Sequence, residues 1–489
     1  MNNLLTMVMI NIYNNLCYIL LDLYKRIKYL LYFFAFLNLL TTNYISYKIT
    51  NKYNETLLKY LYNSIQYNGC VLIKIVQWSM ANLNILEPNH NFIYNLFSSF
   101  YENCSIHDLS YTFKILKKEL DEETYSSIII DEYYNVKSGS IAQVYKAKYK
   151  NKDVAIKIVH PDIKYQAIYP ILFFKVYNYI TSNISFFYKF SIIFLLDTFF
   201  CNLIDQFDLI KEYNNMKYFY HEYLDNEYIL IPEPIMCTKN ILIMSYIEGN
   251  SINNITVSFN NKYKIICLLS SFLKDNYFNQ SYFHSDLHDS NWKIIPYKNF
   301  YKIIIYDYGY ISKNTKEYQE LFKNIIFKND TFDIYGLMEI LYEFCYNIKI
   351  DKNNFINNFK KYLEDEQLIV EPFSNESMQC AVIYLYKKKI QLDSKVFELF
   401  ISSLLFRKYL LEYLGAYNIT NYNDSNGAIN TAINHLDFCK QLNIFHKLIK
   451  YYKTRYIDNP ILMKKYHYND LYLDNLEKEG LLKSTSVDI

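Results

Sequence analysis

Glycine and proline are scarce, 8 of each in 489 residues, and arginine occurs 3 times. Each glycine is therefore informative about the place where it stands. The nine cysteines, at 17, 70, 104, 201, 237, 267, 345, 380 and 439, include no Cys-x-x-Cys pair, and their number is odd. This argues against a zinc site and predicts reduced, mostly buried thiols. An excess of one charge is also lacking: 51 Lys plus Arg stand against 49 Asp plus Glu, a net of +2. Bulk electrostatic binding of nucleic acid is not expected. No internal repeat is present. No GxGxxG phosphate loop precedes the β-rich part of the chain. The N-terminal run YLLYFFAFLNLL has 12 residues, short of the about 20 that span a bilayer.

What is present is apolar and aromatic. Half the chain is hydrophobic, with 55 Tyr and 34 Phe, enough for a sizeable core and two or three domains or one large one. Tyr, Asn, Ile and Lys are so abundant that they say little locally. Residues 3–22 are apolar but interrupted by Asn11, Asn14 and Asn15, and Lys25, Arg26 and Lys28 follow. The segment reads either as an organelle-targeting or membrane-anchoring stretch or as a helix packed on the domain. A second apolar stretch, 184–200, carries Lys189 and Asp197 and reads as a buried or membrane-surface helix.

Residues 53–125 read mostly as helix. In YKAKYK (145–150) Tyr145, Ala147 and Tyr149 alternate with lysines, the period of a strand. KNKD (150–153) is a turn and VAIKIV (154–159) a second strand, so the two form a hairpin. One helix is expected over 203–222, a strand over 241–249, a helix over 259–279 and a buried strand over 302–309. The stretch YFHSDLHDSNW (282–292) reads as a loop, and 315–470 as helical. A β-rich lobe followed by an α-rich lobe, joined near 245–250, makes the chain α+β.

Phosphoryl transfer from ATP needs a strand Lys on the phosphates and a helix acid to orient it. It also needs an Asp at the acceptor, an Asn five residues on, and a second Asp after a buried strand, the last two for magnesium. Lys157, Glu212, Asp286, Asn291 and Asp307 occur in that order. Singly, each has a plain alternative: an outward Lys, a polar loop, a turn at Asp-Tyr-Gly. Order, spacing and placement together point to a kinase-like site. Ala155 shares a strand face with Lys157, where a small side chain leaves room for an adenine ring. His284 is expected to brace the loop rather than bind zinc, and Trp292 and Trp78 to pack.

These segments resemble one family. SIAQVYKAKYKNKDVAIKIVHPDI is similar to the nucleotide-lobe segment of the UbiB family, the aarF-domain atypical kinases. IKIVQWSM (73–80) resembles that family's KxGQ helix, SYFHSDLHDSNW its FHxDxHPGN loop, YDYG its DFG, QFDLIKEYNNMKYF (206–219) its ExD segment, and 390–415 its later helices. The resemblance covers about 65–420. It implies a protein-kinase-like bilobal fold with an N-terminal helical extension. The implied parts are 1–64 as the apolar segment, 65–130 as the extension, 131–249 and 250–435 as the lobes, and 436–489 as a tail.

By residue, the resemblance implies that Lys157 holds the phosphates of ATP or ADP, Glu212 pairs with it and Asp286 is the catalytic-loop Asp. Asn291 and Asp307 are the implied Mg²⁺ ligands. Ser138, Gly139, Ser140, Ala155, Met244 and Tyr246 are implied nucleotide contacts, and Lys74, Gln77 and Asp208 belong to the pocket-covering element. The family works at mitochondrial, plastid or bacterial membranes, in ubiquinone or isoprenoid-lipid metabolism. A lipid or membrane surface and a quinone-biosynthesis protein are thus implied partners, and the mitochondrial inner membrane or a plastid the implied place. The chain departs from the family pattern at Val76 (for Gly), Gln206 (for Glu), the Lys137-Ser138-Gly139-Ser140 loop and Asp289-Ser290. Two other readings stand beside this one: a small-molecule kinase of the aminoglycoside or choline kinase type, and a nucleotide-switched lipid-binding scaffold.

Overall fold

The computed structural model describes residues 2–77 (side chains from 15), 93, 96–97, 99–101, 104–131, 136–183, 196–288, 290–330, 333–346, 348–366, 376–388, 390–400 and 439–457. Trp78, Asp289, residues 184–195 and the later helices beyond 400 lie outside them. The chain divides into two units: Met1–Ser191, Leu196–Tyr213 and Ile235–Tyr246 form the first; Ile192–Leu195, Asn214–Pro234 and Ile247–Ile489 form the second.

The first unit is built around the hairpin expected from its alternating pattern. Strands Ala142–Tyr149 and Lys152–Val159 pair antiparallel, and Lys150 (φ 48°) and Asn151 (φ 64°) make the two-residue connection. Two successive residues at positive φ suit the right-handed twist of the flanking strands, even without glycine. The sheet runs in the order Ile128–Ile130, Ala142–Tyr149, Lys152–Val159, Ile241–Ser245, Pro234–Cys237, and Lys137–Ser138 adds to the second of these. Tyr145, Ala147, Val154, Ile156, Ile158, Ile241 and Ile243 bury one face with Leu116. Leu116 belongs to the helix Leu109–Glu119, which Asp108 caps by accepting the Ser110 N–H.

A second core in this unit gathers the N-terminal helices. Asn2–Thr50 is one helix, and Glu55–Asn68, capped by Asn54, packs on it. Phe33, Phe36, Leu58, Leu61, Ile65, Leu72, Ile73 and Phe100 form the cluster, with Val76 packed against it. The run around YLLYFFAFLNLL thus behaves as a packed helix there. Among the described residues no helix is long and apolar enough to cross a membrane.

The second unit carries the helix Phe259–Asn279, with Ser258 as N-cap, and the helices Lys316–Asp330, Ile334–Glu343, Lys352–Asp365 and Glu376–Lys388. A three-stranded sheet orders Ile229–Leu230, Phe300–Ile305 and Trp292–Tyr297, and Tyr282–His284 pairs with Ile311–Lys313. At Gly249 a side chain has no room. A Cβ there would stand 2.7 Å from both Ile304 Cδ1 and Lys293 Cβ.

Three expectations change. The single helix over 203–222 is two, Leu196–Asp205 and Leu209–Glu222, because Asp208 takes the Ile210 N–H on its own carboxylate and starts the second. The stretch 282–292 is not all loop: Tyr282–His284 is a strand and Trp292 opens another. Pairing with distant partners made these strands, and no local period marks a three-residue strand. The strand over 241–249 ends at Ser245. All nine cysteines are free thiols and five are buried.

Candidate active site

In the first unit the backbone register places the nucleotide candidates. Lys157 lies opposite Val144 on one neighbouring strand and Leu242 on the other, while Ala155 lies opposite Lys146 and Met244. Lys157 Nζ donates to Glu212 Oε1 at 2.6 Å, with side-chain exposures of 13% and 3%. Glu212 stands in the first turn of its helix. An ion pair this buried is costly to desolvate, and removal of one partner strands the other charge. The geometry holds the ammonium at one place on the sheet.

Ala155 and Met244 are both buried side by side, and the Tyr246 N–H donates to the Asp153 carbonyl at 3.1 Å. The Lys146 ammonium sits 4.6 Å over the Tyr246 ring. At the loop, Ser138 and Ser140 are buried, and the Ser138 hydroxyl donates to the Ser105 carbonyl at 3.0 Å. The Gly139 N–H donates to the Ala142 carbonyl at 3.0 Å. Residues 70–77 are helical, and buried Gln77 donates from Nε2 to the Phe100 carbonyl at 2.7 Å. Lys74, on the same helix, lies near enough to favour the Cys104 thiolate, although burial dominates and pushes that thiol up to about 12. Asp208 has its ion pair with Lys239, at 4.0 Å. Gln206, in the break between the two helices, is buried.

The second unit gathers Asp286, Asn291 and Asp307 through one histidine and one amide. His284 Nε2 is 2.6 Å from the Asp307 carbonyl oxygen, which only accepts, so this nitrogen carries the hydrogen. His284 Nδ1 then accepts the Asp286 N–H at 3.3 Å. The ring is a neutral strut between the loop and the Asp-Tyr-Gly turn. Burial lowers its pKa, opposed by the Asp307 carbonyl and the nearby carboxylates. Asn291 Nδ2 donates to the Asp286 carbonyl at 2.7 Å, which turns the amide oxygen the other way. Asp307 Oδ1 accepts the Gly309 N–H at 2.8 Å. His288 Nε2 is 3.8 Å from Asp286 Oδ2. Trp292 is buried, as expected, and so is Tyr308 of the turn.

The donor set fits a magnesium ion: an amide oxygen and a carboxylate are the hard ligands it takes, with water and phosphate filling the rest. Among the described residues no group of three or more His, Cys, Asp or Glu is placed to hold a metal.

One contributor was invisible in the sequence. Glu398 is buried, and its carboxylate accepts from Ser312 at 2.6 Å, Tyr310 at 2.9 Å and Ser285 at 3.3 Å. Ser285 is the loop residue between His284 and Asp286. Burial raises the Glu398 pKa, opposed by those hydroxyls. Glu398 lies 113 residues from Ser285, so no local spacing signals the link.

Comparison with known proteins agrees with the geometry. Residues 101–341 match the ABC1 atypical kinase-like domain. Curated relatives include AarF domain-containing protein kinase 1 of Mus musculus, 23% identical over 214 residues, 42% of this chain and 40% of that one. The ABC1 family protein MCP2 homolog of Schizosaccharomyces pombe is 27% identical over 267 residues, 50% of this chain and 45% of that one. The probable protein kinase UbiB of Vibrio cholerae is 25% identical over 167 residues, 32% and 31%. The matched stretch thus spans less than half the length of each. Among solved structures, the Rv3197–erythromycin complex from Mycobacterium tuberculosis aligns with a TM-score of 0.44 at 15% identity, covering 73% of this chain and 91% of that one. A Rio2 kinase–ADP/Mg²⁺–phosphoaspartate complex from Chaetomium thermophilum gives 0.27 at 12%, covering 68% and 86%. The sheet with its Lys–Glu pair, the loop with its Asp and Asn, and the domain match agree: this chain has an α+β kinase-like fold, and its residues 101–341 are similar to the ABC1 atypical kinase-like domain, with AarF domain-containing and UbiB proteins among the relatives.

Proposed function

We propose that the protein binds ATP or ADP with Mg²⁺ and acts as an atypical kinase-like phosphotransferase or ATPase. The observation that carries this is the buried Lys157–Glu212 pair at 2.6 Å, formed between a central strand and a separate helix. A lysine so held keeps its ammonium in one position, as phosphate binding requires. Ser138, Gly139, Ser140, Ala155, Met244 and Tyr246 would line the nucleotide. Asn291 and Asp307 would hold the magnesium, whose charge, when bound, offsets that of the phosphates. Asp286 would orient the acceptor hydroxyl, water or a small alcohol, and take its proton as the new P–O bond forms and the bond to the leaving phosphate breaks. Lys74, Gln77 and Asp208 would belong to a cover over the pocket.

The UbiB name among the relatives supports a link to ubiquinone; a role in ubiquinone or isoprenoid-lipid metabolism at an organelle membrane, with a lipid surface or a quinone-biosynthesis protein as partner, is part of the same proposal. The mitochondrion is the favoured organelle, a plastid the alternative.

The test is thermal unfolding of the full chain with ATP or ADP, with and without Mg²⁺, followed by phosphate release on lipid vesicles. Ligand at 100 times its Kd should stabilise by about 2.7 kcal/mol. A Mg²⁺-dependent shift with phosphate release supports the enzyme. A shift without turnover favours the nucleotide-switched scaffold, and no shift from folded protein overturns the nucleotide reading.

A further inference from the structure

Two imidazoles in the first unit, His107 buried and His160 half-buried, have no part in the chemistry above. His107 stands just before the helix Leu109–Glu119, and His160 just after the strand Lys152–Val159. Their Nδ1 atoms are 2.8 Å apart. Two ring nitrogens that close form a hydrogen bond only if one carries a hydrogen and the other is bare. The surroundings decide which.

His160 Nε2 is 3.0 Å from the Gly139 carbonyl oxygen, which can only accept, so this nitrogen carries the hydrogen. In the neutral ring His160 Nδ1 is then bare, and His107 donates to it. His107 Nε2, 2.9 Å from Thr112 Oγ1, therefore accepts. Thr112 gives its hydrogen there and accepts from the Tyr145 hydroxyl at 2.6 Å. Tyr145 in turn accepts from the Gln143 amide. Gln143 Oε1 accepts the His107 backbone N–H at 2.9 Å. Each hydrogen of the chain has one place, and the last ends on Gly139. Burial keeps both rings neutral: it lowers His160, and it takes His107 down to about 4, with His160 adding and Asp108 opposing.

The loop needs such a brace. Gly139 is not there for space, since a Cβ would meet only the Ala142 carbonyl at 3.6 Å. Its effect is to leave the peptide free to turn. A bond from His160 to the Gly139 carbonyl stops that rotation. In a trans peptide the following N–H, that of Ser140, points to the opposite side. An oriented backbone N–H in a short loop is a donor for an anionic oxygen.

We propose that His107 and His160 are positioning residues that hold the Gly139–Ser140 peptide with its N–H toward a nucleotide phosphate. This rests on the reading of residues 137–140 as the phosphate-facing loop. It differs from an ordinary core role in one respect: it concerns phosphate and leaves the nucleoside alone.

Binding of Mg-ADP and of adenosine to the full chain, measured by calorimetry for wild type, His160→Ala and His160→Gln, tests it. Loss of one oriented donor should weaken ADP about tenfold in His160→Ala and leave adenosine within about twofold. His160→Gln, whose amide can donate to Gly139 and accept from His107, should recover most of the loss. Equal weakening of both ligands, or of neither, overturns the inference, as does a His160→Gln variant that folds and binds no better than His160→Ala. Wild type that binds neither ligand overturns the nucleotide reading itself, and this inference with it.

Discussion

Lys157 and Glu212 are 55 residues apart and meet at 2.6 Å. Asp286 and Asn291 are five apart and are joined at 2.7 Å by an amide on a carbonyl. The first unit builds its charged centre with secondary structure: a central strand fixed by neighbours on both sides, and a helix. The second unit builds its centre from loop residues, each held by short polar contacts from His284, Asn291 and Gly309. A sheet-borne pair is stiff, and its loss is felt as stability. Loop-borne oxygens are free to serve a ligand, and their loss is felt as binding.

The comparison breaks if the two centres respond alike. Lys157→Met should have the largest effect: it removes the positive charge that faces the buried Glu212 carboxylate, and denaturant unfolding should show a loss of about 3–5 kcal/mol. A loss under about 1 kcal/mol would mean that the pair is not structural. Asp307→Asn should abolish the Mg²⁺-dependent part of an ADP-induced stabilisation, about 2.7 kcal/mol at saturation. Unfolding without ligand should move by no more than about 1 kcal/mol, because the amide oxygen can still accept the Gly309 N–H. His284→Leu comes next. It removes the donor to the part-buried Asp307 carbonyl, and loss of such a hydrogen bond costs about 0.5–1.5 kcal/mol. If stability falls by that amount while ADP binding is unchanged, the strut belongs to the fold and not to the site.

Acid sharpens the comparison with the smallest effect. His107, His160 and His284 are held below the ordinary histidine value by burial. As pH falls from 6.5 toward about 4, the unfolded chain binds protons that the folded chain refuses, so stability declines over that window. Unfolding free energy measured between pH 7.5 and 5 should drop with acid, and less steeply in His160→Gln. A flat profile would show that these rings titrate normally.

Much of the site was legible because its residues lie on elements with strong local signals. The period-two pattern around Ala147 and Ile156 announced the hairpin. The spacing of Asp286 and Asn291, and Asp307 after a buried strand, announced the loop and turn. The helix Phe259–Asn279 matches the apolar spacing that predicted it. Other features carried no such signal. Asp208 breaks a helix through its own carboxylate, which competes with a continuing pattern of apolar residues. Tyr282–His284 became a strand only by pairing with Ile311–Lys313.

Local chemistry decided which residues could do what: a lysine on a strand, carboxylates and an amide in loops, a loop with one glycine in place of several. That much follows from the order of the chain, since element periods and turn residues act over a few positions. Tertiary structure decided which groups meet. Glu398 reaches Ser285 across 113 residues, and His107 reaches His160 across 53. Burial then set the protonation of both imidazoles, because the cost of charge away from water depends on everything packed around it and on nothing in the local sequence.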